Sequence, residues 1–284
     1  MRLNQMETSM IRKIPKRSMK RVRRHSPFIL IASLGLAIVL WQLLVDVRGY
    51  APYILPPPGQ VGARFVQALL DGTLLRHGMV TLSEVLAGLA FGVSSATTLG
   101  YLLAKSPPLE RFLSPYIVAS QSVPIVAIAP LLVIWFGTGL YSKVLICALI
   151  VFFPVLINTV VGMRSVPENL RELMRSLQAT RWQTFTLLEV PASLPVFLGG
   201  LRIGATLSVI GAVVGEFVGS DRGLGFLISV GRGLYDTSLV FVAVFTLIVM
   251  AMSLYGLVLL LESRLLSWQK RPDHITNSST QGVE

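Results

Sequence analysis

The sequence predicts an all-α, polytopic membrane protein with six transmembrane helices and both termini in the cytoplasm. Three observations carry this prediction. Of the 284 residues, 53% are hydrophobic and only 14% charged, whereas an ordinary soluble domain holds roughly 25% charged residues. Six apolar runs approach the ~20 residues that cross ~30 Å of hydrocarbon at 1.5 Å per residue. The Lys and Arg residues give a net charge of +11 and concentrate in alternate loops. Helices satisfy their own backbone polar groups in lipid, and runs this long are not the alternating ten-residue strands of a β-barrel.

Residues 1–27 form a basic cytoplasmic tail in which nine Lys/Arg face one acid, Glu7. The run Phe28–Val45 reads as the first span. It exceeds the apolar core of a signal peptide and leads into Asp46-Val47-Arg48 with no small-residue cleavage site. An outer segment, residues 46–77, follows. Its Leu55-Pro56-Pro57-Pro58-Gly59 is predicted to be stiff and extended. In Gln60–Asp71, Val61, Phe65, Ala68 and Leu69 repeat at helical spacing, which predicts a short helix on the outer interface. A core over residues 78–262 holds spans near 82–104, 115–136, 143–160, 196–218 and 238–261, and residues 263–284 form a second cytoplasmic tail. Between the last two spans, the glycine-rich stretch Ser220–Thr237 reads as an outer loop or half-helix. This orientation places 18 Lys/Arg inside and six outside, the latter being Arg48, Arg64, Arg76, Lys143, Arg222 and Arg232. The reversed orientation would invert the positive-inside bias. The N-terminal cations then face anionic lipid. Nucleic-acid binding is not expected, because the basic residues are not interleaved with aromatics on a soluble domain.

Several chemistries are excluded or left without candidates. Cys147 lies alone in an apolar run, and His25, His77 and His274 sit at no ligand spacing, so neither a disulfide nor a metal site is expected. The chain has no Gly-x-x-x-x-Gly-Lys-Ser/Thr loop to cradle ATP phosphates and no Ser/His/acid constellation. A cofactor-free, non-enzymatic chain is therefore expected. Within the spans, Gly88 and Gly92, Gly200 and Gly204, and Gly211, Gly215 and Gly219 recur at four-residue spacing, suited to close helix packing inside one chain or to a subunit seam. Pro124, Pro130 and Pro154 interrupt spans three and four, as tolerated kinks or as broken helices beside a path. Polar Ser120, Gln121, Ser122 and Asn158 lie in the same helices and, with Pro124, are candidates for a substrate path or for interhelical hydrogen bonds. Glu216 joins them as the one acid deep in span five. Its place near the outer end predicts access to water and a structural role, with the path as the other reading. Glu84 is expected at the outer interface.

The most informative stretch is the cytoplasmic loop at 163–195. Ser165-Val166-Pro167-Glu168 supplies a helix start with proline early and an acid at the positive dipole end. Leu170, Leu173, Met174 and Leu177 then fall on one face at i, i+3, i+4 and i+7, opposite Arg171, Glu172 and Arg175. A break is predicted at Gln178-Ala179. Thr180 and Gln183 next form a capping box, and Trp182, Phe185 and Leu188 give a second apolar face that Pro191 and Pro195 are expected to stop before span five. Such stripes in water either pack back on the bundle or meet a partner.

Glu172 followed by Pro191 resembles the cytoplasmic loop of binding-protein-dependent ABC importer permeases, which reads roughly Glu-Ala-Ala, three residues, Gly, nine residues, Ile-x-Leu-Pro. Glu172, Leu173 and Met174 take the first three places, Gln178 the glycine place, Leu188 the isoleucine place, and Val190-Pro191 the last two. The resemblance extends from Leu55 to Trp268 through Pro124–Pro130, Trp135-Phe136-Gly137, Phe152-Phe153-Pro154, Gly199-Gly200-Leu201-Arg202 and Gly223-Leu224-Gly225. It is closest to the nitrate, sulfonate, taurine and thiamine-precursor branch. Arg175–Trp182 and Gly211–Gly219 look most like permeases for riboflavin or a hydroxymethylpyrimidine thiamine precursor. The resemblance implies a type I importer fold in a bacterial inner membrane and a second permease copy or homologue. It further implies an extracytoplasmic solute-binding protein and two ATPase subunits that bind the ATP and Mg. The ATPases would dock on Leu170, Glu172, Leu173, Met174, Leu177, Gln178, Ala179 and Trp182. A channel, an uncoupled carrier and a membrane-embedded enzyme are the rival classes.

Overall fold

The computed structural model describes residues 27–267, so most of the two tails lies outside the described residues. No strand occurs among the described residues. The helices are α1 (Pro27–Arg48), α2 (Pro58–Leu70), α3 (Thr73–Lys105), α4 (Pro107–Gln121), α5 (Ile125–Phe136), α6 (Leu140–Arg164), α7 (Glu168–Ser176), α8 (Arg181–Thr184), α9 (Val190–Gly219), α10 (Leu224–Gly233) and α11 (Thr237–Leu265), with a π-helical turn at Phe185–Glu189. Five helices, α1 among them, are individually long and apolar enough to cross a membrane, and α4 with α5 reaches that length and apolarity only as a pair, bent by 94° at its break. The helix α1 belongs to a compact unit of its own, and Tyr50 onward forms the other.

In that larger unit α6 is the central column, packed against α3 on one side and α9 on the other. Small residues make this possible. A Cβ on Gly211 would lie 2.7 Å from the Cys147 Cα, and one on Gly92 would lie 2.8 Å from the Ala148 carbonyl oxygen, so the backbones there are in direct contact. Gly88, Gly200, Gly204 and Gly215 also face α6, which assigns the glycine spacing to packing within the chain. Ala96, Leu103, Val151, Val155 and Leu156 fill the core between α3 and α6. Large apolar side chains on α4, α5 and α11, such as Phe112, Ile134, Trp135 and Met252, remain exposed, as expected where lipid or another membrane subunit solvates them.

Several expectations are corrected. Pro58 and Gly59, read as extended, open α2, because proline is tolerated in a first helical turn where its missing N–H costs nothing. Of the two readings for span three, the broken helix holds and the kink does not: Ser122-Val123-Pro124 is a full break, since the residue before a proline is driven out of the helical region. Pro191 and Pro195 do not stop the second loop helix. Arg181–Gly219 runs as one 39-residue helical element, and the wider π turn before Pro191, in which Val190 N–H donates to the Phe185 carbonyl, gives the ring room. The half-helix reading of Ser220–Thr237 holds, in α10.

Candidate functional site

The end of the bundle that the charge distribution assigns to the cytoplasm carries α7 and α8. Pro167, not Ser165, precedes α7 in extended conformation, and the Ser165 hydroxyl donates instead to the Gly162 carbonyl. The break falls where expected. Gln178 adopts φ +53°, with its N–H donating to Arg175 O at 2.9 Å and the Ala179 N–H to Met174 O at 3.0 Å. This is a Schellman close, in which glutamine takes the left-handed place that glycine fills at least cost. The Thr180 hydroxyl accepts from Gln183 N–H at 3.2 Å while Gln183 Oε1 accepts from Thr180 N–H at 2.8 Å, completing the capping box. The apolar stripe does not pack back: Leu173 is 52%, Leu177 68% and Trp182 71% exposed. Leu170, Glu172 and Gln178 are also exposed, and Met174 and Ala179 half-buried.

A buried acid that sequence reasoning passed over sets the pose of this loop. Glu189, 2% exposed, pairs with Lys105 at the end of α3 and lies 3.8 Å from Arg171 Nε of α7. Arg171 also donates to Met163 O at 2.8 Å. One carboxylate thus joins α3, α7 and the root of α9. A cavity of about 660 Å³ behind α7 is lined by these groups together with Arg175 and Arg181. Elsewhere at this end Arg164 pairs with Glu110 and Arg202 with Glu262.

The six residues considered for a substrate path occupy three separate places. Ser120, Gln121, Ser122 and Pro124 form the α4–α5 elbow. There Ser120 lines a cavity of about 500 Å³ with Phe91, Ser95, Tyr116, Phe152 and Phe153, a lining that contains no charged residue. Asn158 sits on α6 against Gly200 and donates through its side-chain amide to the Pro154 carbonyl one turn back, at 2.8 Å.

Glu216 lies at the outer end and does not reach water within the chain, being 2% exposed. The reason is α10, which folds over it: Gly225 N–H donates to Glu216 Oε2, Thr81 Oγ1 donates to its Oε1 at 2.7 Å, and Leu224 N–H donates to Thr81 Oγ1 at 2.8 Å. His77 Nδ1 accepts from Gly223 N–H at 3.0 Å. Glu84 is likewise not interfacial but 1% exposed, paired at 3.0 Å with Lys143, itself counted as an outer-loop cation and found 4% exposed at the start of α6. A usable signal existed: Glu84 continues the four-residue spacing of Gly88, Gly92 and Ala96, and Lys143 that of Cys147, Val151 and Val155, so both stand on buried faces.

The comparisons agree with this geometry. Residues 96–267 match the family described as binding-protein-dependent transport system inner membrane component. A riboflavin transport system permease protein of Chloroflexus aurantiacus is 49% identical over 237 residues, covering 84% of this chain and 88% of that protein. A formylaminopyrimidine transport permease protein of Halalkalibacterium halodurans is 36% identical over 82% of this chain and 93% of that one. Among solved structures, a chain of the inward-facing MetNI methionine ABC transporter shares the fold with a TM-score of 0.56, covering 70% of this chain and 96% of its own length at 22% identity. With more than half its length matched and relatives aligned over most of theirs, the chain belongs to the inner-membrane permeases of binding-protein-dependent ABC importers.

Proposed function

We propose that this permease passes a planar heteroaromatic nutrient, riboflavin before a thiamine-type pyrimidine, into the cytoplasm. The observation that carries this reading is the 49% identity to a riboflavin transport system permease over 84% of this chain and 88% of that one. The cavity between α3, α4 and α6 supports it. Phe91, Tyr116, Phe152 and Phe153 offer ring faces, and Ser95 and Ser120 offer hydroxyl oxygens. A stacked, uncharged ring suits that lining. Sulfonate or taurine, the cargo named for more distant relatives at 32% and 30% identity, would bring an anion to a wall without a cation. Two copies of the chain, or one with a homologue, enclose the path, while a solute-binding protein delivers cargo outside. Two ATPase subunits dock on the exposed stripe of α7 and α8. ATP and Mg belong to those subunits, and this chain performs no covalent chemistry.

The test is uptake of labelled riboflavin by cells that lack their own transporter and express this chain with its ATPase and binding protein. Accumulation should require ATP, compete with excess unlabelled riboflavin, and ignore taurine. Taurine uptake without riboflavin uptake would overturn the substrate reading, and flux surviving a hydrolysis-dead ATPase would overturn the coupled one.

A further inference from the structure

The network at the outer end holds two carboxylates and one ammonium in a space closed to water. Glu84, Glu216 and Lys143 are 1%, 2% and 4% exposed. The two carboxyl groups lie within hydrogen-bonding reach of each other. Fully ionised, the trio would bury one uncompensated negative charge, an arrangement that proteins avoid by neutralising a group. No other charge repairs the balance. On α3 the nearest titratable neighbour is His77, which accepts from a backbone N–H through Nδ1. On α6 it is the Cys147 thiol, and in the α9–α10 connection Asp221 and Arg222 are exposed and pair with each other at 3.5 Å. The only charge on α10 is the exposed Arg232, α5 has none, and those of α11, Glu262 and Arg264, lie in its last turn.

The hydrogen bonds say which carboxyl takes a proton. Glu216 accepts on both oxygens, from Thr81 and from Gly225 N–H. The second donor belongs to the first turn of α10, where the helix dipole favours a negative charge. Glu84 accepts from Lys143 through Oε1, but its Oε2 is buried with no donor. An oxygen with no incoming donor, facing a carboxylate, is where a proton would sit.

We propose that Glu84 is a neutral carboxylic acid that donates its Oε2 proton to ionised Glu216, and that this shared proton latches the start of α10 to α3, α6 and α9. Charge then sums to zero with Lys143, and every polar atom of the trio gains a partner. The proton makes Glu84 a positioning residue for α10. It fixes the outer half-helix only while the two carboxyls stay together, so loss of that proton would set two like charges face to face beneath α10.

The assignment predicts an asymmetry between two conservative substitutions, tested on the full-length permease in lipid nanodiscs. Glu84→Gln replaces the O–H by an amide N–H that still donates to Glu216 and keeps an oxygen for Lys143. It should melt with the parent, while Glu84→Ala should not. Glu216→Gln replaces an acceptor of two donors by a group that is half donor, so either the Thr81 hydroxyl or the Gly225 N–H loses its acceptor. Its melting temperature should fall by at least about 5 °C. Infrared spectra in H₂O and D₂O should show a carboxylic C=O band that shifts on deuteration and vanishes in Glu84→Gln. The reverse asymmetry would move the proton to Glu216 and sink the assignment. Equal tolerance of both Gln variants, or a parent spectrum without that band, would show two ionised carboxylates and remove the latch.

Discussion

At the outer end of the bundle, Glu84, Lys143, Thr81 and Glu216 meet the first N–H groups of α10, and each of these residues is 4% exposed or less. At the opposite end, Leu173, Leu177 and Trp182 stand more than half exposed on a well-capped helical turn. The first region completes its polar bonds within the chain. The second has its backbone completed by a Schellman close and a capping box but leaves these three apolar residues more than half exposed. Buried polar groups left unsatisfied are costly, so the outer end must finish itself before the chain is stable. Apolar side chains in water cost much less when local hydrogen bonds hold their helix, so the loop can wait for a second protein.

The widest separation between the two regions should come from a charge on the exposed stripe. Leu173→Asp, and Met174→Asp beside it, should lower retention of the ATPase subunit in pull-down by more than about 100-fold. Burial of one such side chain is worth roughly 1.5–3 kcal/mol, and an aspartate must also be desolvated. The permease alone should melt as before, whereas Arg175→Ala, on the polar face, should weaken the complex far less. Unfolding of the Asp variants with the ATPase still bound to the survivors would make the stripe part of the bundle and erase the contrast.

A smaller effect is expected at Glu189, which joins the two kinds of region because it is buried yet ties the loop. Removing one member of a buried ion pair costs about 3–5 kcal/mol; here Lys105 is 41% exposed, so Glu189→Ala should cost about 2 kcal/mol. Chemical denaturation should record that loss. Proteolysis should cut earlier between α7 and α8, and parental protection there would mean that the loop holds its pose without the acid.

The smallest effect lies at Asp71, in the turn before α3. Its carboxylate accepts from Thr73 N–H at 2.9 Å, and that bond, with one from the Thr73 side chain, holds its pKa below the usual carboxylate value. A depressed carboxylate pKa stabilises the fold above the unfolded value and loses that contribution as pH falls through the folded one. Parent and Asp71→Ala should therefore differ slightly in melting temperature at neutral pH and converge below about pH 4. A gap that persists in acid would assign the effect to helix propensity.

Much of this was legible in the sequence because it is written locally. The apolar runs, the stripe from Leu170 to Leu177 and the Thr180–Gln183 box depend on neighbours no more than seven residues away. The 94° elbow and the uninterrupted passage through Pro191 were not, because each reflects how a proline is accommodated by surrounding turns. Burial of Glu84, Lys143 and Glu216 depends on α3, α6, α9 and α10 meeting, with partners up to 135 residues apart. A charge near the end of an apolar run looks interfacial until the element that covers it is in place. Gln178 shows the converse: the backbone kept a left-handed turn that its residue type does not favour, because two backbone hydrogen bonds and the capping box beyond hold it.

The π turn at Phe185–Glu189 has a mechanical meaning. By carrying the helix past Pro191 without a joint, it makes Arg181–Gly219 a single rod of 39 residues, about 58 Å long at 1.5 Å per residue. One tip begins in the capped turn beside Trp182, and the other ends three residues beyond Glu216. The loop that carries the exposed stripe and the end that carries Glu216 therefore share one unbroken run of helical backbone, so neither can move without bearing on the same element. Between them lies the glycine-lined seam with α6, where the close approach at Gly211 and Cys147 leaves little play.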